Sequence, residues 1–123
     1  NMYRLQVKTH FDAAHYLKNY DGKCRNLHGH RWEVELVLEG KELNEINMLT
    51  DFSVVKKQLN KYLDAFCDHH CLNVELEEDN VTAEFLSKRI YDWAVEQCWG
   101  FDVNICRVTI WESPDCCVKY YGD

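Results

Sequence analysis

His28-Gly29-His30-Arg31-Trp32-Glu33-Val34-Glu35-Leu36-Val37-Leu38 decides the fold. From His30 onward the residues alternate. Trp32, Val34, Leu36 and Leu38 share one face, and Arg31, Glu33 and Glu35 the other, which is the period of a half-buried strand. His28 and His30 are two apart, so their imidazoles project from one face. Upstream, residues 2–9 alternate in the same way, and Phe11-Asp12-Ala13-Ala14-His15 continues that strand or forms a bulge. Residues 17–27 are polar, with Asn19, Asp21, Gly22 and Asn26, and read as a loop. If the two strands pair as a long hairpin, His15 returns beside His28 and His30. Three neutral imidazoles around one metal leave a fourth position open, the mark of a catalytic rather than a structural zinc. Imidazole-only tetrahedral sites suit zinc, with iron and nickel as other candidates.

Beyond Phe52 the period changes. Val55, Leu59, Tyr62, Leu63 and Phe66 recur at helical spacing, with Asp51 or Ser53 as cap. A polar loop through Cys67–Asn73 and an acidic stretch Glu75–Asp79 follow. A second helix spans roughly 82–97, with Leu86, Ile90, Trp93 and Ala94 inward, Asn80 or Thr82 as cap and Glu84 suited to the first-turn dipole. Two last strands run from Val103 to Trp111 and from Cys117 to Tyr121, joined around Ser113-Pro114-Asp115. The order ββααββ has no βαβ alternation. It predicts an α+β fold: a four-stranded antiparallel sheet with two helices on one face.

The length of 123 residues suits one domain over 1–123, and an apolar fraction of 46% argues against disorder. No apolar run approaches the roughly 20 residues that cross a bilayer, so no membrane association is expected. No signal peptide is visible and Asn1 ahead of Met2 reads as a remnant of expression, so the expected compartment is the cytoplasm. Seven cysteines, an odd number with no CxxC pair, read as mostly reduced and buried. A net charge of −7 disfavours nucleic-acid binding. Between Lys18 and Arg31, however, Lys18, Lys23, Arg25 and Arg31 face Asp21 alone, a local balance of +3. Such a patch beside a metal suits an anionic small molecule, and an ordinary solvated loop explains it equally well.

Four further residues are candidates for chemistry. Cys24 lies in the loop just before the histidine pair. It is either an inert loop cysteine or a nucleophile or general base whose thiolate Lys23, Arg25 and a metal would favour. Cys67-Asp68-His69-His70-Cys71 reads in three ways: a second metal site of two cysteines and a histidine, an Asp68–His69 pair with the carboxylate orienting the imidazole, or a polar loop. Glu112 ends the apolar run Val108-Thr109-Ile110-Trp111. It is either an exposed strand end or an anchor, since a carboxylate accepts two parallel hydrogen bonds from a guanidine-like ring edge.

Together these residues resemble the 6-pyruvoyl-tetrahydropterin synthase / 6-carboxy-tetrahydropterin synthase family along nearly the whole chain. Phe11-x-Ala13-Ala14-His15 is similar to its first zinc-ligand motif, and Cys24-x-x-x-His28-Gly29-His30 to its cysteine and remaining ligands. Asp51-Phe52 resembles the start of its first helix, Asp68-His69-x-x-Leu72-Asn73 its Asp-His motif, Asn80-x-Thr82-x-Glu84 its second-helix start, and Glu112 its pterin-anchoring glutamate. Val81 stands where the family usually has proline, and Ser113 where threonine is usual.

The resemblance implies the tunnelling fold, a homohexamer with active sites between subunits, and Zn2+ on His15, His28 and His30. Three residues between Cys24 and His28 resemble the bacterial 6-carboxy branch. That branch implies conversion of 7,8-dihydroneopterin triphosphate to 6-carboxy-5,6,7,8-tetrahydropterin, acetaldehyde and triphosphate, a lyase step toward queuosine. Cys24, Asp68, His69 and Glu112 are then the catalytic residues. Glu112 also grips the pterin, and Lys23 and Arg25 are candidates for the triphosphate. The alternatives are a 6-pyruvoyl synthase or related pterin side-chain lyase, and a zinc-binding module without catalysis.

Overall fold

In the computed structural model, which describes residues 1–123, the two alternating segments form one long ladder. Strand β1 (Tyr3–His15) pairs antiparallel with β2 (His28–Gly40) from Tyr3 opposite Gly40 through to His15 opposite His28. The period-2 pattern sends Leu5, Val7, Phe11, Ala13 and His15 of β1 and Trp32, Val34, Leu36 and Leu38 of β2 to the buried face. Strand β3 (Asn104–Ser113) pairs with β2, and β4 (Cys116–Tyr120) with β3, giving an antiparallel sheet in the order β1-β2-β3-β4. Opposite β4 the register shifts between Trp111 and Ser113, leaving Glu112 as the extra residue of a bulge. β3 thus runs two residues past the expected end, and Glu112 belongs to the strand.

Helices cover the apolar face. Asp51 caps α1 (Phe52–Phe66), accepting from the Ser53 amide at 2.8 Å and its hydroxyl at 2.7 Å. This helix lays Val55, Leu59 and Leu63 against the sheet beside β1. Phe66 remains 42% exposed although its spacing matches the core positions, and its ring lies 5.0 Å from that of Tyr62. The loop after α1 contains a single helical turn, α2 (Leu72–Glu75), which the sequence did not reveal. Thr82, not Asn80, caps α3 (Ala83–Val95), with its hydroxyl oxygen accepting from the Phe85 amide at 3.0 Å. α3 buries Leu86, Ile90 and Ala94 against β3 and β4, while Trp93 is only half-buried and stacks on Tyr62. One connected core of 22 residues results. No helix is long and apolar enough to cross a membrane.

The free edge of β1 is covered at its end. The Ala14 amide donates to the His70 carbonyl at 3.1 Å, and the His69 amide to the Asp12 carbonyl at 2.7 Å. Residues 69–71 thus lie along β1, with Ala14 and Cys71 bridged in parallel sense. This pairing protects an otherwise open edge and fixes the Asp68–His69 segment against the strand that carries His15.

Candidate metal centre

His15 and His28 end their strands as a directly opposed pair, and His30 lies one inward-facing position further along β2. All three rings crowd together on the helix-covered face. Ring centroids are 4.5 Å apart for His15 and His28, 4.8 Å for His28 and His30, and 5.1 Å for His15 and His30. Trp32 forms the floor, edge-on to His15 at 4.7 Å and to His30 at 5.3 Å, with its own indole N–H donating to the Ala13 carbonyl at 3.2 Å.

The outer nitrogens orient the rings. His15 Nδ1 bonds the Val81 carbonyl and His28 Nδ1 the Asn26 carbonyl, each at 2.7 Å. A carbonyl only accepts, so both Nδ1 atoms carry the proton, and in the neutral rings Nε2 presents a lone pair. Backbone partners of this kind set the tautomer of metal-binding histidines. The Nε2 atoms of His15, His28 and His30 are buried and have no hydrogen-bond partner. Buried polar atoms are rarely left so, and three converging orphans are a donor set suited to a cation.

A fourth donor closes the group. Glu112 Oε1 lies 3.0 Å from His30 Nε2 and 3.5 Å from His15 Nε2. The ligand atoms of His15, His28, His30 and Glu112 all fall within 4.8 Å of one another, so these residues could together hold a metal ion. Burial pushes the His15 imidazole pKa below its ordinary value, with the Val81 carbonyl and then Glu112 opposing only in part, and burial does the same to His30. Both rings are therefore kept in the neutral form that binds metal.

Asp68 and His69 form a separate pair at the free edge of β1. Asp68 Oδ1 accepts from the Asp12 amide at 2.9 Å, and Oδ2 accepts from His69 Nδ1 at 2.8 Å. These bonds, the Asp12 amide first, hold the Asp68 carboxyl below the usual carboxylate range. His69 adopts a left-handed backbone (φ 59) and is 80% exposed. It lines an open groove of about 610 Å³ together with His30, Arg31, His70 and Cys71.

The profile of the 6-pyruvoyl tetrahydropterin synthase family matches residues 4–123. The chain belongs to this family. It is 33% identical over 94 residues to the 6-carboxy-5,6,7,8-tetrahydropterin synthase of Synechocystis, a match covering 73% of each protein. To the enzyme of the same name from Rickettsia conorii it is 31% identical over 137 residues, covering 96% of this chain and 99% of the relative. The structure of Caenorhabditis elegans 6-pyruvoyl tetrahydropterin synthase superposes with a TM-score of 0.85 at 25% identity, covering 100% of this chain and 97% of that one. The expected family and its α+β tunnelling fold are thus borne out.

Within this tetrahydropterin synthase scaffold the candidates separate. His15, His28, His30 and Glu112 come together. Cys24 does not join them: it lies half-buried in a single 3-10 turn, Lys23–Arg25, whose backbone is tied down where the Cys24 carbonyl accepts from the Leu17 amide at 2.8 Å. Lys23 and Arg25 are exposed on the same turn. The +3 patch is smaller than the sequence indicated, because Lys18 pairs with Asp79 at 3.7 Å and Arg31 with Asp12 at 3.1 Å. A second metal site at Cys67 and Cys71 is not formed. Cys67 is in the core and burial pushes its thiol up to about 12, so it stays a neutral packing group.

Two supporting residues escaped the sequence reading. The buried side chain of Asn73 accepts from the Tyr16 amide at 3.0 Å and donates to the carbonyls of Tyr16 at 2.8 Å and Asp79 at 2.9 Å. It locks the chain just after His15 to the loop before α3. Its place after Leu72 in the Asp-His motif was the available signal. Val81 contributes only its carbonyl, which no side-chain pattern discloses.

Proposed function

We propose that the chain is a zinc-dependent 6-carboxy-5,6,7,8-tetrahydropterin synthase. It would convert 7,8-dihydroneopterin triphosphate and one water to 6-carboxy-tetrahydropterin, acetaldehyde and triphosphate, a step toward queuosine and related deazapurines. The observation that carries this reading is the trio of orphaned Nε2 atoms, met by a carboxylate, in a chain of this family. The matched relatives named 6-carboxy synthases support the carboxy branch.

His15, His28 and His30 are the proposed zinc ligands. When bound there, the ion would act as a Lewis acid, polarising side-chain oxygens and stabilising enolate-like charge. Cys24, as thiolate, takes the proton from the neighbouring carbon. His69 donates through Nδ1 to Asp68, which leaves Nε2 as the atom that accepts and returns protons. Glu112 accepts paired hydrogen bonds from the amino-pyrimidine edge and orients the ring. Lys23 and Arg25 are proposed for the triphosphate. Assembly is proposed as a homohexamer with sites between subunits, in which a neighbouring copy would cover the exposed His69.

The test is product analysis after incubation of the zinc-loaded protein with 7,8-dihydroneopterin triphosphate. Acetaldehyde and triphosphate in equal amounts are expected. Triphosphate release without acetaldehyde would transfer the chain to the pyruvoyl branch, and an unconsumed substrate would refute the reading.

A further inference from the structure

A feature of the cluster goes beyond a three-histidine site with an open corner. Glu112 does not stand off from the imidazoles as a ring anchor would. Its Oε1 is 3.0 Å and 3.5 Å from the Nε2 atoms of His30 and His15. With bonds of about 2.0–2.2 Å to a tetrahedral zinc, neighbouring ligand atoms lie about 3.3–3.5 Å apart. The carboxylate oxygen is thus at ligand-to-ligand spacing from His15, and it lies closer still to His30, at hydrogen-bond distance.

The hydrogen-bond polarity points the same way. His15 is 1% exposed, and its Nδ1 proton is committed to the Val81 carbonyl, so its neutral ring turns a lone pair toward the carboxylate. Lone pairs of a carboxylate and an imidazole repel at this distance unless a cation lies between them. No hydrogen bond relieves His15 or His28 at Nε2, whereas His30 Nε2, 3.0 Å from Glu112, can share a proton with it. The local backbone favours the approach as well: Glu112 is the extra residue of the β3–β4 bulge, a device that re-aims a side chain.

We propose that Glu112 is the fourth metal ligand of the substrate-free protein, and that it leaves the metal to grip the substrate's amino-pyrimidine edge. The second half rests on the pterin reading given above; the first does not. One carboxylate cannot occupy both positions. Arrival of the ring therefore opens the coordination position that the substrate side chain needs. Until then the site is closed by four protein ligands, as in a structural zinc site, and water is kept from the vacant corner.

The test uses full-length protein stripped of metal and reloaded with Co2+, comparing wild type with Glu112→Gln. The variant is nearly isosteric, and its thermal melting is recorded to establish that it folds. The visible absorption of Co2+ reports ligand number and type without requiring turnover, and competition with a chelator gives zinc affinity. The expected result is an altered cobalt spectrum and a loss of zinc affinity at least as large as the roughly 10–100-fold that follows removal of an outer-shell partner. A spectrum and affinity equal to wild type would overturn the assignment.

Pterin itself, which has the amino-pyrimidine edge but no side chain to ligate metal, is then added to the cobalt form. It should move the wild-type spectrum toward that of Glu112→Gln and leave the variant's spectrum in place. Binding of pterin, followed by its fluorescence, with no change in the wild-type spectrum would overturn the exchange. Failure of pterin to bind at all would count against the pterin reading, and the variant alone would still decide the ligand.

Discussion

His15 stands directly opposite His28 in the β1–β2 ladder, and the carbonyl of Val81, one residue before the cap of α3, accepts from its Nδ1 at 2.7 Å. One bond thus joins the hairpin that carries the imidazoles to the helix layer that covers them. The candidate metal centre is a property of the packed sheet and helices together.

His28→Ala removes a ring from the end of β2, where it is only half-buried. The fold should survive, with a thermal midpoint close to that of the metal-free wild type. Zinc affinity should fall by well over the roughly 10–100-fold cost of an outer-shell change. Metal content by atomic emission after dialysis checks this, and zinc retained at full stoichiometry would remove His28 from the ligand set.

Cys24→Ala should behave in the opposite way. Cys24 lies outside the four-residue cluster, so zinc content and thermal stability should match wild type. Turnover of 7,8-dihydroneopterin triphosphate should drop by about 10²–10⁴, the range of a lost general base. Unchanged turnover would take the proton-transfer role from this thiol.

Asn73→Ala leaves the Tyr16 amide and the carbonyls of Tyr16 and Asp79 without their partner. Tyr16 is half-buried and Asp79 exposed, so each of the three bonds contributes the ordinary net of about 0.5–1.5 kcal/mol, and a loss of about 2–3 kcal/mol is expected. Urea unfolding at equilibrium measures it. A change below about 0.5 kcal/mol, the scale of an ordinary surface substitution, would mean that the staple carries no load.

Asp68 predicts a pH dependence with a defined sign. Its folded pKa is lowered, chiefly by the Asp12 amide, so the carboxylate stabilises the fold above the ordinary value of 3.8. That contribution is lost as pH falls through the lower folded value. The stability difference between wild type and Asp68→Asn should therefore be constant from pH 7 to about pH 5 and shrink below pH 4. Thermal melting across that range checks it, and a difference that grows on acidification would contradict the assignment.

Much of the fold was legible because it is local. The alternation in residues 2–15 and 30–38 defines two strands, and pairing them returns His15 to His28. The helix caps at Asp51 and Thr82 follow from side-chain chemistry at a helix start. What stayed hidden is non-local. Glu112 meets His30 only because β3 lies next to β2 and bulges opposite β4. The docking of residues 69–71 on the β1 edge uses backbone groups alone, which leave no trace in side-chain periodicity. The pairing of Lys18 and Arg31 with Asp79 and Asp12 joins residues that a charge count along the chain treats as independent.

Anomalous scattering at the zinc absorption edge, from crystals of the zinc-loaded protein, tests the central claim most directly. The account predicts one peak per chain, about 2.0–2.1 Å from the Nε2 atoms of His15, His28 and His30. A peak elsewhere, or none in crystals whose protein retains zinc in solution, would contradict it.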